Sequence, residues 1–299
     1  MELTLQQQQD IGLDFVLDRL LPLSPLGREK KRALSPYAPS EWDALQRELE
    51  DLGKAVALGD HPALRGFRQG LMQVRDIRAT VARLKERDLD QVELFELKRY
   101  LLLLRSLAAD FAALQASARW EDLALQEVPE ALAILDPEHS GNPAFSLRDQ
   151  WSADLAAVRE EKRIIEKQIA QAAGDQREAL LLQRTGIVMR EAEAEQRLCA
   201  ALSQKLLPYR KAIADSLDAL AHLDLLFAKA ALVQELGGVR PTLTEKELSF
   251  VNMVHPAIRD SLRRQGPPSR LSACLWGPGR LCSPGPIWAA RACALRPLP

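Results

Sequence analysis

Five basic residues in the middle of the sequence are the ones best placed to bind phosphate. They are Arg163, Lys167, Arg177, Arg184 and Arg190. Phosphate binding needs lysine or arginine on a surface that a nucleic-acid duplex can reach. The sequence offers no groove-reading motif, so such a contact would not depend on base sequence. The competing interpretation is that these cations only pair with glutamates on the same helix faces. Those glutamates are Glu160, Glu166, Glu178 and Glu191.

Residues suited to other kinds of chemistry do not come together in the sequence. Histidine occurs four times, each time alone. The four cysteines form no CxxC pair and have no histidine at metal-ligand spacing, so neither a metal site nor a disulfide is indicated. The acidic runs Glu160–Glu161 and Glu191–Glu195 are typical of solvated helix faces rather than acid–base pairs. We therefore expect no catalytic residue, no metal, no bound cofactor and no enzyme activity.

The composition favours long helices. Of 299 residues, 47% are hydrophobic and only 5% are aromatic, and leucine and alanine dominate. The net charge of −1 gives no overall basic field that would indicate nucleic acid. No early apolar segment resembles a signal peptide, and the Leu101–Leu104 run is too short and too closely flanked by charge for a membrane span. We expect a cytoplasmic protein with no membrane partner.

Two long helices must position the five cations. The first arm spans residues 151–171 and has an apolar stripe at helical spacing, interrupted only by Lys162. Gly174-Asp175 breaks the helix, and the return arm continues nearly to Gly237-Gly238. Neither arm can bury its stripe alone, so we expect an antiparallel hairpin from Gln150 to Leu236, with a charged tip and an apolar base. The two stripes are Leu155, Val158, Ile165 and Ile169, and Leu198, Leu202, Leu206, Tyr209, Ile213, Leu217 and Leu220.

The segments on either side of the hairpin differ in character. Apolar stripes in residues 1–149 predict several helices, of which Asp88 to Ala116 is apolar nearly all round and is expected to be the central strut. After Gly237-Gly238 the sequence favours extended structure, and Leu248 to Val254 predict the first strand of a different domain. Residues 266–299 are rich in proline, glycine, arginine, cysteine and tryptophan and have no helical or strand period.

Several short segments resemble the MutS-type DNA mismatch repair proteins. Leu220–Ala230 is similar to the end of that family's core domain. Pro241–Leu243 and Val254–Ile258 resemble the passage into the family's ATPase domain, with a valine where an arginine is usual. Upstream, Gly27–Glu29 and Arg75–Ile77 fit the core domain. In order and spacing, these segments extend over roughly residues 10–260.

The tail resembles the same family in another reading frame. The family has a phosphate loop of the form Thr-Gly-Pro-Asn-Met-Gly-Gly-Lys-Ser, whereas Ser283–Ala292 reads Ser-Pro-Gly-Pro-Ile-Trp-Ala-Ala-Arg-Ala. That segment can be encoded by TCA CCG GGC CCA ATA TGG GCG GCA AGA GC. Read from the third base, these codons encode the family's loop. We therefore hypothesise a frameshift between about Arg264 and Ala273, which removes the glycines, lysine and serine that hold nucleotide phosphates and Mg²⁺.

The resemblance implies a mainly α protein, with a helical core (lever) domain, a protruding clamp-like hairpin and a remnant β-strand of a missing α/β ATPase domain. It divides the chain into four parts. Residues 1–149 are the first part of the core, and 150–236 are the hairpin, which returns to the core. Residues 237–265 begin the ATPase domain, and 266–299 are a frameshifted or disordered tail.

The resemblance also implies a function. The intact family couples ATP and Mg²⁺ to the binding of double-stranded DNA and forms homodimers, mainly through the domain that is missing here. The chain looks like the branch of the family that begins at the core, for which mismatch recognition is not expected. We expect non-specific, salt-sensitive binding of duplex DNA without ATP hydrolysis, and an exposed His255. The alternative is a helical scaffold that works through protein contacts and does not bind DNA.

Sequencing the gene from about codon 264 to codon 292 tests the frameshift. We expect a base insertion or deletion in this interval, followed by codons that encode the phosphate loop in the shifted frame. An uninterrupted frame, with codons for Ser283–Ala292 that cannot encode the loop, would contradict the hypothesis.

Overall fold

The structure, a computed structural model, describes residues 4–242, 248–249, 253–265 and 275–276. These residues are mostly helical, which confirms the mainly α class. The α-helices are α1 Leu5–Asp10, α2 Leu13–Arg19, α3 Pro25–Arg32, α4 Trp42–Ala57, α5 Pro62–Leu71, α6 Arg78–Arg83, α7 Gln91–Ala118, α8 Pro129–Leu135, α9 Ala153–Gln171, α10 Gly174–Leu206, α11 Arg210–Leu236 and α12 Pro256–Gln265. Short 3₁₀ turns occupy Pro39–Glu41, Asp149–Trp151 and Leu207–Tyr209.

Extended structure in the described residues is limited to two short strands. β1 Leu248–Ser249 pairs antiparallel with β2 Leu275–Trp276, with Leu248 opposite Trp276. The strand predicted over Leu248 to Val254 is not established by this pair, since residues 250–252 lie outside the described residues. Part of the extended segment predicted after Gly238 also lies outside the described residues. So does the whole tail, residues 266–299, except for β2.

The chain divides into two compact units that are interleaved in sequence. The first contains Met1–Pro22, Arg28–Gly59 and Leu225–Pro299. The second contains Leu23–Gly27 and Asp60–Asp224. The consecutive domains predicted from the sequence stay a prediction, because a sequence pattern shows neighbours along the chain and not which distant segments share a core.

Helix α7 is the central helix of the second unit. It begins with a capping box, in which the Asp90 side chain accepts the N–H of Glu93 and the Glu93 side chain accepts the N–H of Asp90. It packs against α5 and α8 and buries leucines on several faces. Gly70 allows α5 to approach closely, because a Cβ there would lie 2.5 Å from the side chain of Leu107. The structure thus agrees with the strut predicted over Asp88 to Ala116.

By length and composition α7 is also apolar enough to cross a membrane, with a mean hydropathy of 1.3 over its most apolar window. The same properties are found in helices packed inside protein domains. Here α7 contacts other helices and buries two charged residues, Glu93 and Lys98. Glu93 accepts hydrogen bonds from Arg83 and Arg87, and Lys98 pairs with Asp136.

The long arms of the predicted hairpin are three helices rather than two. α9 ends at Gln171 and α10 begins at Gly174, where the break was predicted. The return arm was predicted to continue nearly to Gly237-Gly238, but α10 ends at Leu206 and a 3₁₀ turn containing Pro208 precedes α11. Proline has no N–H to donate to the preceding helical turn, so the α-helical pattern cannot continue through this position.

The first unit is built around the C-terminal half of α11. Leu225 and Leu232 pack with Leu20 in a small core that includes partly buried residues of α2. Arg19 joins two further elements, since it pairs with Glu235 of α11 at 3.2 Å and with Asp260 of α12 at 3.0 Å. α11 ends at Leu236, and Gly237 directly after it has a φ of 68°, the left-handed conformation common at helix ends.

The exposure predicted for His255 is wrong. His255 is half-buried, and its ring lies against Gly12, where a Cβ would be 2.5 Å from the ring. Its Nδ1 is buried and has no hydrogen-bond partner among the described residues. The physical reason is the position of His255 in the fold. It does not end a strand but directly precedes α12, and α12 packs on α2.

A buried ion pair holds the loop that follows α8. Asp136 Oδ1 accepts from Lys98 Nζ at 3.2 Å and from Ser140 Oγ at 2.7 Å, and its Oδ2 accepts from the N–H of Gly141 at 2.9 Å. Both charged side chains are 3% exposed. Burial by itself would raise the pKa of Asp136, but these three hydrogen bonds lower it to about 2.

The pH dependence of stability tests this ion pair. The pKa of Asp136 falls from 3.8 to about 2 on folding, so its stabilisation is complete above about pH 4 and is lost as the pH falls through the folded-state pKa. The difference corresponds to roughly 2 kcal/mol. As the pH falls through this range, the free energy of unfolding should decrease in the wild type and in Asp136→Asn. We expect the total decrease to be smaller in Asp136→Asn by roughly 2 kcal/mol.

The measurement is urea denaturation followed by circular dichroism at several pH values. Asp154→Asn is a matched control, because Asp154 pairs with Arg197 while 57% exposed and should leave the acid-induced loss unchanged. An Asp136→Asn variant with the same acid-induced loss as the wild type would show that this pair does not behave as described.

Candidate nucleic-acid interface

Helices α9 and α10 lie side by side and run in opposite directions. The ion pairs between them show the direction, because the start of α9 faces late residues of α10 (Asp154 with Arg197) and its end faces early ones (Glu166 with Arg184). The apolar contact between the two helices is narrow. It consists of Val158, Ile165 and Ile187, with Ile169 and Leu180 packed against them.

Arg159 is the centre of the charged contacts beside this apolar seam. It donates to Asp149 at 2.7 Å, to Glu191 at 3.2 Å and to Glu195 at 2.7 Å. Lys162, which interrupts the apolar stripe of α9, donates to Glu191 at 2.5 Å. The hydrogen bond from Lys162, followed by that from Arg159, holds the pKa of Glu191 below its ordinary value. The cluster therefore stays ionised at neutral pH.

Three of the five predicted phosphate-binding cations already pair with carboxylates of the same region. The pairs are Arg163 with Glu160 (2.7 Å) and Asp149 (3.1 Å), Arg184 with Glu166 (3.0 Å) and Arg190 with Glu161 (2.6 Å). All three guanidinium groups remain about half exposed. Exposed pairs of this kind contribute about 0–1 kcal/mol each, so a phosphate group can compete with the carboxylate at little cost.

The pairing partners differ from those expected for single helices. Arg163 pairs with Glu160 within α9, as the competing interpretation expects. Arg184 and Arg190, however, pair across the hairpin with α9. Glu191, one of the expected partners, binds Lys162 and Arg159 instead. Helical spacing reveals partners within one helix but not the register between two, so Arg159 and Lys162 were not recognised from the sequence.

Lys167 and Arg177 are the two remaining cations, and both are exposed near the fold-back of the hairpin. Lys167 lies one turn before the end of α9, and Arg177 lies in the first turn of α10. Neither has a hydrogen-bond or ion-pair partner within the described part of the chain. The first turn of α10 also lacks a side-chain cap, but Asp175 lies in this turn and offsets the partial positive charge of its N–H groups.

Two of the segments that carry the family resemblance are joined by buried hydrogen bonds. The carboxylate of Asp224 accepts from the N–H of Leu23 at 2.9 Å, from the N–H of Ser24 at 2.7 Å and from Ser24 Oγ at 2.6 Å. Ser24 Oγ in turn accepts from the N–H of Gly27 at 3.0 Å, at the start of α3. Asp224 is 1% exposed, so it holds this chain segment from inside the second unit.

Residues with other chemical roles do not form a site in the described ranges. No group of three or more histidine, cysteine, aspartate or glutamate side chains there could hold a metal ion. Cys199 is buried in α10, and burial raises the pKa of its thiol to about 11. The tail segments Gly277–Arg280 and Ser283–Ala292, to which the phosphate-loop hypothesis refers, lie outside the described residues.

Neither protein-family models nor curated proteins supply a match to this chain. The function must therefore be inferred from the residues and their geometry, and the resemblance to MutS-type proteins stays a hypothesis.

Removing Arg159 tests whether the charged cluster stabilises the hairpin. In Arg159→Met, the three carboxylates around the guanidinium lose their shared donor and repel each other. We expect the free energy of unfolding to fall by about 1–3 kcal/mol in urea denaturation. Arg197→Met is the control: Arg197 is 61% exposed and pairs with Asp154, and its loss should change stability by less than about 0.5 kcal/mol. Equal effects of the two substitutions would contradict a special role for Arg159.

Proposed function

We propose that the chain is a helical DNA-binding segment related to the core and clamp of MutS-type mismatch repair or recombination proteins. Its hairpin of α9 and α10 contacts the phosphates of duplex DNA without reading the base sequence. The chain as translated has no phosphate loop, so the proposal includes no ATP hydrolysis. Duplex DNA is the proposed partner, and no resident cofactor is needed for this contact.

The observation that carries the proposal is the pair of unpartnered cations near the fold-back. Most other cations of the hairpin are neutralised by carboxylates, whereas Lys167 and Arg177 keep their full charge for an external anion. A phosphate backbone supplies the regularly spaced anions that such a surface attracts.

Arg163, Arg184 and Arg190 have a secondary role in this proposal. Each would exchange an exposed glutamate for a phosphate when the duplex approaches, at a cost of about 0–1 kcal/mol per pair. The released glutamates would then repel the DNA, so binding through these three residues gains little affinity. We therefore expect them to add less to binding than Lys167 and Arg177.

The hydrogen bonds around Asp224 support the relation to the MutS family. They join Leu220–Ala230 to Gly27–Glu29, two segments that resemble parts of the family's core domain. Ser24 and Asp224 lie about 200 positions apart in the sequence. A buried hydrogen bond between such distant residues is expected when both belong to one core. Clamp-like action of the hairpin and the remnant strand of an ATPase domain remain parts of the proposal.

A second candidate function is a helical scaffold that binds proteins and not DNA. The observation that favours it is an exposed apolar stripe on the face of α10 that points away from α9. Leu182 is 77% exposed and Met189 is 65% exposed, and Leu181 and Val188 lie beside them. Exposed apolar surface of this kind often marks a protein contact.

Salt-dependent DNA binding separates the two functions. A fluorescent duplex is titrated with the protein at several salt concentrations, and binding is followed by anisotropy. For the double variant Lys167→Glu/Arg177→Glu, we expect binding at low salt to weaken by at least about tenfold, since two phosphate contacts become repulsive. The slope of log K against log salt should fall by about two.

Lys205→Glu is the matched control, because Lys205 is exposed on the opposite end of α10 and its loss changes the net charge in the same sense. It should leave the affinity close to that of the wild type. Absence of DNA binding at low salt, or an equal loss in the control and in the double variant, would favour the scaffold.

A further inference from the structure

A small cleft beside α7 has features that DNA binding does not use. It is formed by α7 and the segment that leads from α5 to α6, and it encloses about 20 Å³, enough space for one methyl-sized group. Its lining includes Arg75, from one of the segments that resemble the MutS family, and Arg99 of α7.

The two arginines are not neutralised by the protein. Neither guanidinium has an ion-pair or hydrogen-bond partner in the ranges that the structure describes. Asp76, which follows Arg75 in the sequence, forms an ion pair with Arg78 at 2.6 Å. The hydrogen bond from Arg78 lowers the pKa of Asp76, which keeps this carboxylate ionised and engaged. Arg75 and Arg99 therefore remain free to bind an external carboxylate.

The floor of the cleft is apolar. Ile77 and Tyr100 are 2% and 3% exposed, and Leu103 completes the surface. The hydroxyl of Tyr100 is bonded to Ser216 Oγ at 2.7 Å, and burial raises the pKa of Tyr100. Tyr100 therefore offers a ligand only its uncharged ring, because its hydroxyl group is already hydrogen-bonded. An aliphatic side chain is the group that this floor accommodates best.

The rim also offers hydrogen-bond acceptors. Glu96 lines the cleft without a partner among the described residues, and the amide of Gln73 provides both a donor and an acceptor. A bare phosphate or a DNA backbone has no hydrogen-bond donor for Glu96. A peptide has backbone N–H groups for the acceptors, carboxylates for the arginines and a side chain for the floor.

We propose that this cleft binds a short acidic peptide segment of another protein, which places the methyl end of one aliphatic side chain between α7 and the α5–α6 segment. Its flanking carboxylates pair with Arg75 and Arg99, and its backbone N–H groups face Glu96. The contact is small, so its affinity is modest and depends on salt. This site is independent of the hairpin surface proposed to bind DNA.

Fluorescence anisotropy with the labelled peptide acetyl-Glu-Asp-Leu-Asp-Glu-amide tests the proposal at low ionic strength. We expect Arg75→Ala and Arg99→Ala each to weaken binding by about tenfold, because each removes a charged hydrogen-bond donor. A peptide with alanine in place of leucine should bind more weakly to the wild type, since it leaves the apolar floor unfilled. Arg99→Lys, which keeps the charge but not the planar donor pair, should bind better than Arg99→Ala.

Arg105→Ala is the matched control, since Arg105 is an exposed arginine of α7 that does not line the cleft. It should leave peptide binding unchanged, and circular dichroism verifies that all variants are folded. Absence of binding, equal binding of the leucine and alanine peptides, or equal effects of Arg75→Ala and Arg105→Ala would overturn the proposal. If Arg75→Ala and Arg99→Ala weaken duplex DNA binding as much as peptide binding, the cleft belongs to a DNA surface and the peptide proposal is wrong.

Discussion

The antiparallel contact between α9 and α10 is the constraint on which the proposed DNA surface depends. Where the two helices pack on each other they bury a narrow seam, centred on Val158, Ile165 and Ile187. Such a seam removes little apolar surface from water, so the charged groups beside it must be well matched for the hairpin to persist. Arg159 supplies much of that match, because it binds carboxylates from α10 and from the turn before α9.

This constraint explains why few cations of the hairpin are available for binding. A cation beside the seam meets a carboxylate of the other helix, as Arg184 and Arg190 do. Lys167 and Arg177, by contrast, lie near the fold-back and have no such partner in the described part of the chain. Stability and binding therefore use different members of one set of basic residues. The distinction follows from position in the hairpin and not from residue type.

The base of the hairpin is held by interactions of another kind. Long leucine stripes on α10 and α11 bury Leu206, Ile213 and Leu217 almost completely. Buried carboxylates then hold two irregular segments that have no apolar stripe of their own. Asp224 binds the segment that leads into α3, and Asp136 binds the loop after α8. Each has several donors, which is the condition for a buried charge to be tolerated.

The sequence by itself determined the helical class, a helix break within two residues of Gly174 and a helix end just before Gly237, because apolar period and glycine act within a few residues. It also indicated which cations to consider. Only the tertiary structure decided which of them are free, since the pairing of Arg184 with Glu166 depends on the register of two helices. The cleft beside Arg99 was equally hidden from the sequence, because its two sides come from segments that a helical period cannot place against each other.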